Sequence, residues 1–275
     1  MRDVITLYFI AVSSYVFARM LQEPLLDTFK LHGLVMKNFR EKSMPFLGGI
    51  IIVCAGIVGL CAAYILLVKV RQEVLVFLLS IVLIAVISIK DDFSGSQDKK
   101  GFKGHLETFL KESRLTTGML KAITGGLIAA GVSILYSHTL FEFVINSLMV
   151  ALITNLLNLF DLRPGRAIKV FLFLSFGLLA MRISSLPANL LLIIVAPSVA
   201  FLPFDLGEEA MLGDVGSNVL GISIGLIALW TLPIYLKTVI VPILLYLHWY
   251  AETRSFSQLI KSQKFLYKLD QLGRE

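Results

Sequence analysis

Aspartate residues stand at the ends of long apolar segments, in the sequences IKDDFSG, NLFDLRPGR and MLGDVGS. They are Asp91 and Asp92, Asp161, and Asp214. A carboxylate is costly to desolvate at a membrane boundary, so it is seldom placed there without partners. If the apolar segments cross the membrane as their lengths suggest, all four carboxylates reach the same face. The pattern therefore predicts a cation-binding, phosphate-handling site.

A lysine-rich segment follows the first acidic pair. Carboxylates and amines together suit a magnesium-bound diphosphate, because oxygen ligands hold Mg²⁺ beside substrate phosphates and ammonium groups neutralise the remaining charge. We predict substrate-binding roles for Lys100, Lys103 and Lys121, and leave Lys99 and Lys111 unassigned. The alternative is a solvated loop whose lysines only follow the positive-inside rule.

Three polar residues near Asp161 are spaced for one helix face. Asn155, Asn158 and Asp161 are three residues apart, so they can line a polar cleft or form a purely structural cap. Arg163 and Arg166 come next, and a guanidinium group can bond two phosphate oxygens at once. We predict that both arginines bind substrate. The alternative is again the positive-inside rule.

The segment around Asp214 combines an acid with small residues. Asp214 lies between Gly213 and Gly216, with Ser217 just before an apolar segment. Glycine permits close backbone approach, and amides at the start of a helix favour an anion. Alone this is a weak signal, but the other acidic corners strengthen it.

Among the histidines, His248 is the candidate for substrate binding. It lies near the last membrane boundary, and Glu252 is one helical turn away. A single histidine is more often a satisfied polar residue than a ligand, so both interpretations stay open.

The composition identifies the protein class. Hydrophobic residues make up 57% of the 275 residues and charged residues only 16%. A water-soluble domain of this size could not cover so much apolar surface. We predict an all-α, polytopic transmembrane bundle of about nine to ten spans; nine are visible, near 4–20, 46–68, 73–89, 118–136, 141–160, 168–184, 186–204, 218–236 and 238–251.

The distribution of lysine and arginine predicts the orientation. With the N-terminus outside, 20 of the 25 basic residues fall in inner segments and 5 at outer ends. This predicts a multi-pass protein of the inner (plasma) membrane with a cytosolic C-terminus and a cytosolic acidic site. The net charge of +6 then suits anionic lipid headgroups and phosphorylated substrates. Nucleic-acid binding is disfavoured, because no basic domain stands apart from the bilayer.

Two parts of the chain are distinguished. Residues 1–254 form the predicted transmembrane catalytic domain, and residues 255–275 form a cytosolic amphipathic tail. The tail spaces apolar residues at intervals of three and four, with lysines between them, as in a helix lying on the inner leaflet. A partner-binding helix is the alternative.

Taken together, the motifs resemble those of a known family. LGGI after a proline, the DD pair with its lysine-rich loop, NLLNLFD and MLGDVGSNVLG resemble the polyprenyl-phosphate N-acetylhexosamine-1-phosphate transferases, relatives of phospho-N-acetylmuramoyl-pentapeptide transferase. The resemblance implies a bundle of about ten helices with a cytosolic cleft. It also implies transfer of a sugar-1-phosphate from a UDP-sugar to a polyprenyl phosphate such as undecaprenyl phosphate, dependent on Mg²⁺ or Mn²⁺. The reaction releases UMP and initiates a bacterial cell-envelope glycan.

The resemblance also implies residue roles. Asp91 and Asp92 match the acidic pair near the lipid phosphate, Asn158 and Asp161 match the NxxNxxD motif, and Asp214 matches the acid that holds magnesium. The chain departs from the family where DLRPGRA replaces DGxDGLA, since proline occupies the position of the second acid. A histidine-rich loop is also missing and one span fewer is visible. These departures argue against the muramoyl-pentapeptide enzyme itself and leave the sugar open.

Two other functions remain open at this stage. A membrane transporter would normally place ionisable residues or broken helices near the bilayer midplane, and none of the predicted spans has an acid or base there. A homologue that binds polyprenyl phosphate without transferring sugar is the second alternative, which the proline in DLRPGRA favours. A homodimer is compatible with the sequence.

Overall fold

The computed structural model describes residues 2–94, 117–182 and 185–274. Almost all of them are helical, because a chain in hydrocarbon must satisfy its backbone hydrogen bonds internally. We number the helices α1 (Arg2–Leu31), α2 (Gly49–Leu66), α3 (Arg71–Ser94), α4 (Thr117–Tyr136), α5 (Leu140–Phe160), α6 (Arg166–Arg182), α7 (Leu186–Asn189), α8 (Leu192–Leu206), α9 (Gly213–Thr231), α10 (Ile234–Thr253), α11 (Phe256–Ser262) and α12 (Lys264–Gln271). A 3-10 turn at Val68–Val70 precedes α3, and one short hairpin pairs β1 (Val35–Lys37) with β2 (Ser43–Pro45).

The predicted membrane bundle is confirmed. Within the described ranges, eight segments are long and apolar enough to cross a bilayer, with α7 and α8 counting as one continuous segment at Leu186–Leu206. The remaining predicted span, near 168–184, overlaps α6, which has 17 residues and is the shortest of the long helices apart from α8. The protein is thus an all-α, multi-pass membrane protein, and each predicted span overlaps a helix of the described residues.

Helix α9 forms the centre of the bundle. In its most apolar 18-residue window, 83% of the residues are buried inside the protein. Small residues allow it to approach α5 closely: a β-carbon on Gly221 would overlap the backbone of Thr154, and one on Gly225 would lie 3.2 Å from the Cα of Val150. Close backbone contact through small residues is a common way for membrane helices to associate. The relative positions of α5 and α9 are therefore tightly constrained.

The beginning of α9 is also held against the beginning of α2. The N–H groups of Gly48 and Gly49 donate to the carbonyl oxygens of Met211 and Leu212, at 3.0 and 2.8 Å. Gly49 lies directly against Gly216, so a side chain at either position would collide with the opposite backbone. The glycine pair of the LGGI motif thus fixes the place where α9 starts.

The hairpin was not predicted from the sequence. It packs on the segment before α9, where Asn38 donates to the Glu208 carboxylate at 2.7 Å and Arg40 pairs with the same carboxylate at 3.0 Å. The Asn38 side-chain oxygen also accepts the N–H groups of Arg40 and Lys42, which closes the loop between the two strands. The hairpin therefore covers the same end of the bundle as the predicted acids. We call this the acidic end: it is where α3 and α5 end and where α4 and α9 begin.

Candidate active site

The Asp91–Asp92 pair at the end of α3 meets the start of α9. The Asp92 carboxylate accepts the N–H groups of Asp214 and Val215, each at 3.1 Å. The first turn of a helix has unsatisfied N–H groups and a partial positive charge, so a carboxylate from another helix is a strong cap. Gly213 precedes the turn with φ +72°, and a β-carbon there would lie 3.3 Å from Asp92. Only glycine suits that position.

Lys121, near the start of α4, joins two of the predicted acids. Its Nζ lies 2.7 Å from Asp91 Oδ2 and also donates to Asp214 Oδ2. The Lys121 side chain is only 13% exposed, so solvent weakens these ion pairs less than it would at an open surface. The structure thus brings Lys121 to the acids, as a substrate-binding lysine would require. Lys100 and Lys103 lie outside the described residues.

Asn158 connects α5 to the same helix start. Its Oδ1 accepts a hydrogen bond from Ser217 Oγ at 3.0 Å. Asn218, next along α9, donates to the Asp214 carbonyl oxygen at 2.8 Å and to Ser88 Oγ of α3 at 3.0 Å. Hydrogen bonds between side chains of α3, α5 and α9 therefore surround residue 214. The polar residues of the GDVGSN motif hold these helices together at the site.

Asp161 lies at the point where α5 ends, and its N–H donates to the Asn158 carbonyl oxygen at 3.1 Å. Burial raises the pKa of the Asp161 carboxyl well above its usual value, and the charges of Asp205, Asp214 and Asp92 raise it further. No hydrogen bond to this carboxylate comes from any residue in the described ranges. The region therefore has an excess of negative charge that a proton or a bound cation would neutralise.

Asp205, at the end of α8, is a member of this acidic group that the sequence analysis missed. It is 4% exposed, and its Oδ2 accepts the N–H of Gly165 at 2.9 Å. Gly165 has φ +69° and packs against Leu206. The signal was present, because Asp205 shares the segment PFDLGEEAMLGD with Asp214, but it lies inside the last turn of an apolar helix.

Two predicted site residues are not brought into this contact network. Asn155 is exposed and makes no side-chain hydrogen bond with any described residue. Residues six apart differ by about 120° around an α-helix, so Asn155 cannot share a face with Asp161 as predicted. His248 bonds through Nδ1 to the Leu244 carbonyl oxygen of its own helix, and its buried Nε2 has no partner among the described residues. No contact that the structure describes joins His248 to the acids.

The two arginines of DLRPGR are both engaged by protein groups. Arg163 lies over the ring of Phe39, the hairpin residue, with its guanidinium carbon 4.0 Å from the ring centroid. Arg166 is buried and bonded to the Asp270 carboxylate, at 2.7 Å for the shorter contact. The predicted substrate-binding role of Arg166 is therefore corrected: its guanidinium is occupied by the C-terminal segment. Arg274 binds the same carboxylate and is a further cation at this corner.

The described residues contain no cluster of three or more histidine, cysteine or acidic side chains that could hold a metal ion unaided. This does not conflict with magnesium, which proteins usually hold by one or two carboxylates together with substrate phosphates. The carboxylates of Asp214 and Asp161 are oxygen ligands of the required kind, and the surplus negative charge around them favours a cation. The residues present therefore fit a Mg²⁺ ion whose coordination is completed by substrate.

Comparison with protein families gives one match, to the family described as Glycosyl transferase family 4, over residues 74–232. This range is more than half of the 275-residue chain and contains every acid of the site described above. The hairpin, His248 and the C-terminal segment lie outside it. A comparison with curated proteins gave no match.

Proposed function

Because this chain belongs to glycosyl transferase family 4, we propose that it transfers an N-acetylhexosamine-type sugar-1-phosphate from a UDP-sugar to a polyprenyl phosphate, with release of UMP. Membership of the family implies a nucleotide-sugar donor, a lipid-phosphate acceptor and a membrane environment. The observation that carries the proposal is the convergence of Asp91, Asp92 and Asp214 with Lys121 at one end of a membrane bundle.

The proposed reaction is a displacement at phosphorus. An oxygen of the lipid phosphate attacks the phosphorus that carries the sugar, and the bond from that phosphorus to the bridging oxygen breaks, so UMP leaves. A phosphate monoester has a second pKa of about 6, so the acceptor is already largely ionised at neutral pH and does not depend on a general base. Catalysis then consists mainly of holding two anionic substrates in line and neutralising their charge.

The residues of the site have distinct parts in this proposal. Lys121 bonds to two carboxylates of the site and would offer its ammonium group to a diphosphate bound beside them. Asp92 keeps the first turn of α9 in place, so that Asp214 is presented in a fixed direction. Asn158 holds Ser217 on the same turn. A bound Mg²⁺ or Mn²⁺ would neutralise developing charge on the diphosphate, with Asp214 and Asp161 as its protein ligands.

The proposal is tested by transfer of radiolabel from UDP-N-acetylglucosamine, and from other UDP-N-acetylhexosamines, to undecaprenyl phosphate with the purified protein. We expect labelled lipid and an equal amount of released UMP in the presence of Mg²⁺. Binding of undecaprenyl phosphate without transfer from any of these donors would instead support the non-catalytic alternative. The transporter alternative is disfavoured, because the matched family is described as a family of glycosyl transferases.

We propose that Arg163 binds the donor diphosphate while Phe39 supports its guanidinium group from one side. No described residue accepts a hydrogen bond from its side chain, so its N–H groups remain available. Lysine keeps the charge but loses the planar fork, so Arg163→Lys should raise the donor KM about tenfold, the effect of losing one charge-assisted hydrogen bond. Steady-state kinetics with varied UDP-sugar measure this.

The control for that substitution is Arg71→Lys. Arg71 also stacks on an aromatic ring, with its guanidinium carbon 5.3 Å from the ring centroid of Tyr64, but it lies at the opposite end of α3 from the acids. We expect no kinetic change in the control. Equal donor KM values for the wild type and Arg163→Lys would remove this arginine from the site and leave it as a positive-inside residue.

We propose that the acidic end faces the cytosol, because 20 of the 25 basic residues lie in the segments on that side. A reporter active only in the cytosol is expected to be active when fused after Glu275 and inactive when fused before Arg2. Activity of the N-terminal fusion alone would reverse the orientation and place both substrates on the opposite face.

A further inference from the structure

The C-terminal segment, residues 256–274, folds back onto the turn that follows Asp161. Its ionic contact is centred on Asp270, which is 8% exposed. Arg166 donates to both carboxylate oxygens of Asp270, at 2.7 and 2.9 Å, and Arg274 donates to both at 2.9 Å. Four charge-assisted hydrogen bonds therefore converge on one carboxylate. We call Arg166, Asp270 and Arg274 the clamp.

The clamp is permanently charged at physiological pH. Burial alone would raise the pKa of the Asp270 carboxyl, but the hydrogen bonds from Arg166 and Arg274 outweigh it and lower that pKa to about 2. A carboxylate with a lowered pKa contributes its stabilisation above the ordinary value of about 3.9 and loses it only as the pH falls toward the lowered value. The Asp270 carboxylate therefore stays ionised between about pH 5 and 8, and its bonds to Arg166 and Arg274 do not change over that range.

The hydrogen bonds of the clamp reach the backbone of the turn as well as its side chains. Arg274 Nε donates to the Pro164 carbonyl oxygen at 2.7 Å. From the other side, Asp205 accepts the N–H of Gly165 at 2.9 Å, and Arg166 completes the turn through its guanidinium group. Each of the three consecutive residues is thus held by a partner that is distant in sequence.

Apolar packing of the C-terminal segment is concentrated at Phe256, whose ring stacks on the ring of Phe160 with centroids 4.9 Å apart. Between residues 255 and 274, only Phe256 and Asp270 are buried. A buried ion pair is a weak source of net stability, because the cost of desolvating the charges offsets their attraction. The distinctive property of the segment is a set of charged contacts centred on Asp270 and Arg274, most of which reach the turn at residues 164–166. A further one comes from Lys169 of α6, whose Nζ donates to the Asp270 carbonyl oxygen at 2.8 Å.

We propose that the C-terminal segment is a positioning element for the Asp161 carboxylate, with Asp270 and Arg274 as its positioning residues. Only two residues separate Asp161 from Pro164, so a displacement of the turn moves the carboxylate. The catalytic consequence rests on the proposed function, whereas the mechanical coupling does not. Asp270 and Arg274 lie beyond residue 232, where the family match ends, so the clamp adds a contact from outside the matched region.

The test compares the full-length wild type with Asp270→Asn and Asp270→Glu in nanodiscs of one lipid composition. Asp270→Asn should lower kcat about 10- to 100-fold, the range that a displacement of about 1 Å costs a positioned reaction. The donor KM should also rise, by up to about tenfold, because Arg163, the proposed diphosphate ligand, is adjacent to Pro164 and moves with the turn. Asp270→Glu keeps the charge and should recover part of kcat. Asp27→Asn, at an exposed carboxylate near the end of α1, is the matched control and should change nothing.

Hydrogen–deuterium exchange gives a readout independent of catalysis. Asp270→Asn should speed exchange in peptides covering residues 158–170 and leave those covering 213–220 unchanged. Unchanged exchange at 158–170 would overturn the coupling, and faster exchange with an unchanged kcat would overturn the positioning role. Faster exchange in both sets of peptides, together with a lower Tm, would indicate a general stabilising role instead and also overturn it.

Two further comparisons cover the cases in which a variant does not fold or the wild type shows no transfer. Arg274→Gln leaves the Arg166–Asp270 pair intact, so it replaces Asp270→Asn if that variant fails to fold, with the same expected direction in exchange and kcat. If the wild type shows no transfer with any UDP-sugar, the proposed function fails. The exchange comparison then decides by itself whether the segment holds the turn.

Discussion

Asp214→Asn is expected to lower kcat by at least about 100- to 1,000-fold in a protein that still inserts and purifies normally. Asp214 is the acid to which the proposed cation and Lys121 both connect, and removal of one electrostatic group that stabilises a transition state typically has an effect of this size. The folding cost should be small, because the substitution keeps the shape of the side chain and its backbone hydrogen bonds. Radiolabel transfer and size-exclusion chromatography measure the two properties.

Removal of the metal should give the same loss of activity. We expect no transfer in EDTA and recovery on addition of Mg²⁺ or Mn²⁺. The matched control is again Asp27→Asn, whose carboxylate forms only an exposed pair with Lys30 at 3.5 Å. Full activity of Asp214→Asn, or of the wild type in EDTA, would refute the assignment of Asp214 to a cation site.

Asp161→Asn should abolish transfer and at the same time raise thermal stability. Burial and the charges of Asp205, Asp214 and Asp92 raise the pKa of the Asp161 carboxyl. Ionising such a group destabilises the folded state, and an isosteric amide has no such cost. Residues that are unfavourable for stability are common at catalytic sites, where function maintains them. Each kcal/mol relieved should raise Tm by roughly 2–4 °C in a protein of this size.

The gain in Tm for Asp161→Asn should depend on pH. Because the folded pKa of Asp161 is above its unfolded value of about 3.9, the folded state binds the proton more tightly, and its stability falls as the pH rises from about 4 toward the raised pKa. The gain in Tm for Asp161→Asn in EDTA should therefore be small at pH 5 and larger at pH 8. A lower Tm than the wild type at both pH values would contradict this account of Asp161.

The sequence predicted the bundle and most of the acidic site for clear physical reasons. Spans are visible because hydrocarbon requires long apolar segments, and Asp91, Asp92, Asp161 and Asp214 are visible because acids at span ends are unusual. Lys121 was named as part of the lysine-rich segment after the acidic pair, and its ammonium group contacts Asp91 and Asp214; its substrate-binding role stays a prediction. These signals are local in sequence, so they can be read without knowledge of the fold.

The failures concern contacts between distant parts of the chain. Arg166 was assigned to substrate because nothing in DLRPGR reveals that its carboxylate partner stands 104 residues later. Asn155 was included because it lies three residues before Asn158. Each step of three residues falls about 60° short of a full helical turn, so two steps place Asn155 about 120° away from Asp161. The hairpin escaped notice because its strands have three residues each and depend on Glu208 for their anchorage.

The cap that Asp92 provides for α9 has a consequence for biosynthesis. Its partner Asp214 lies 122 residues further along the chain, so Asp91 and Asp92 reach the membrane boundary well before the helix that receives them has been synthesised. Until α9 inserts, those carboxylates have neither its amides nor its aspartate beside them. Insertion of that central helix is thus the event that converts a set of exposed acids into an ordered site. A nascent chain arrested before α9 holds all the other acids of the motifs but no assembled centre.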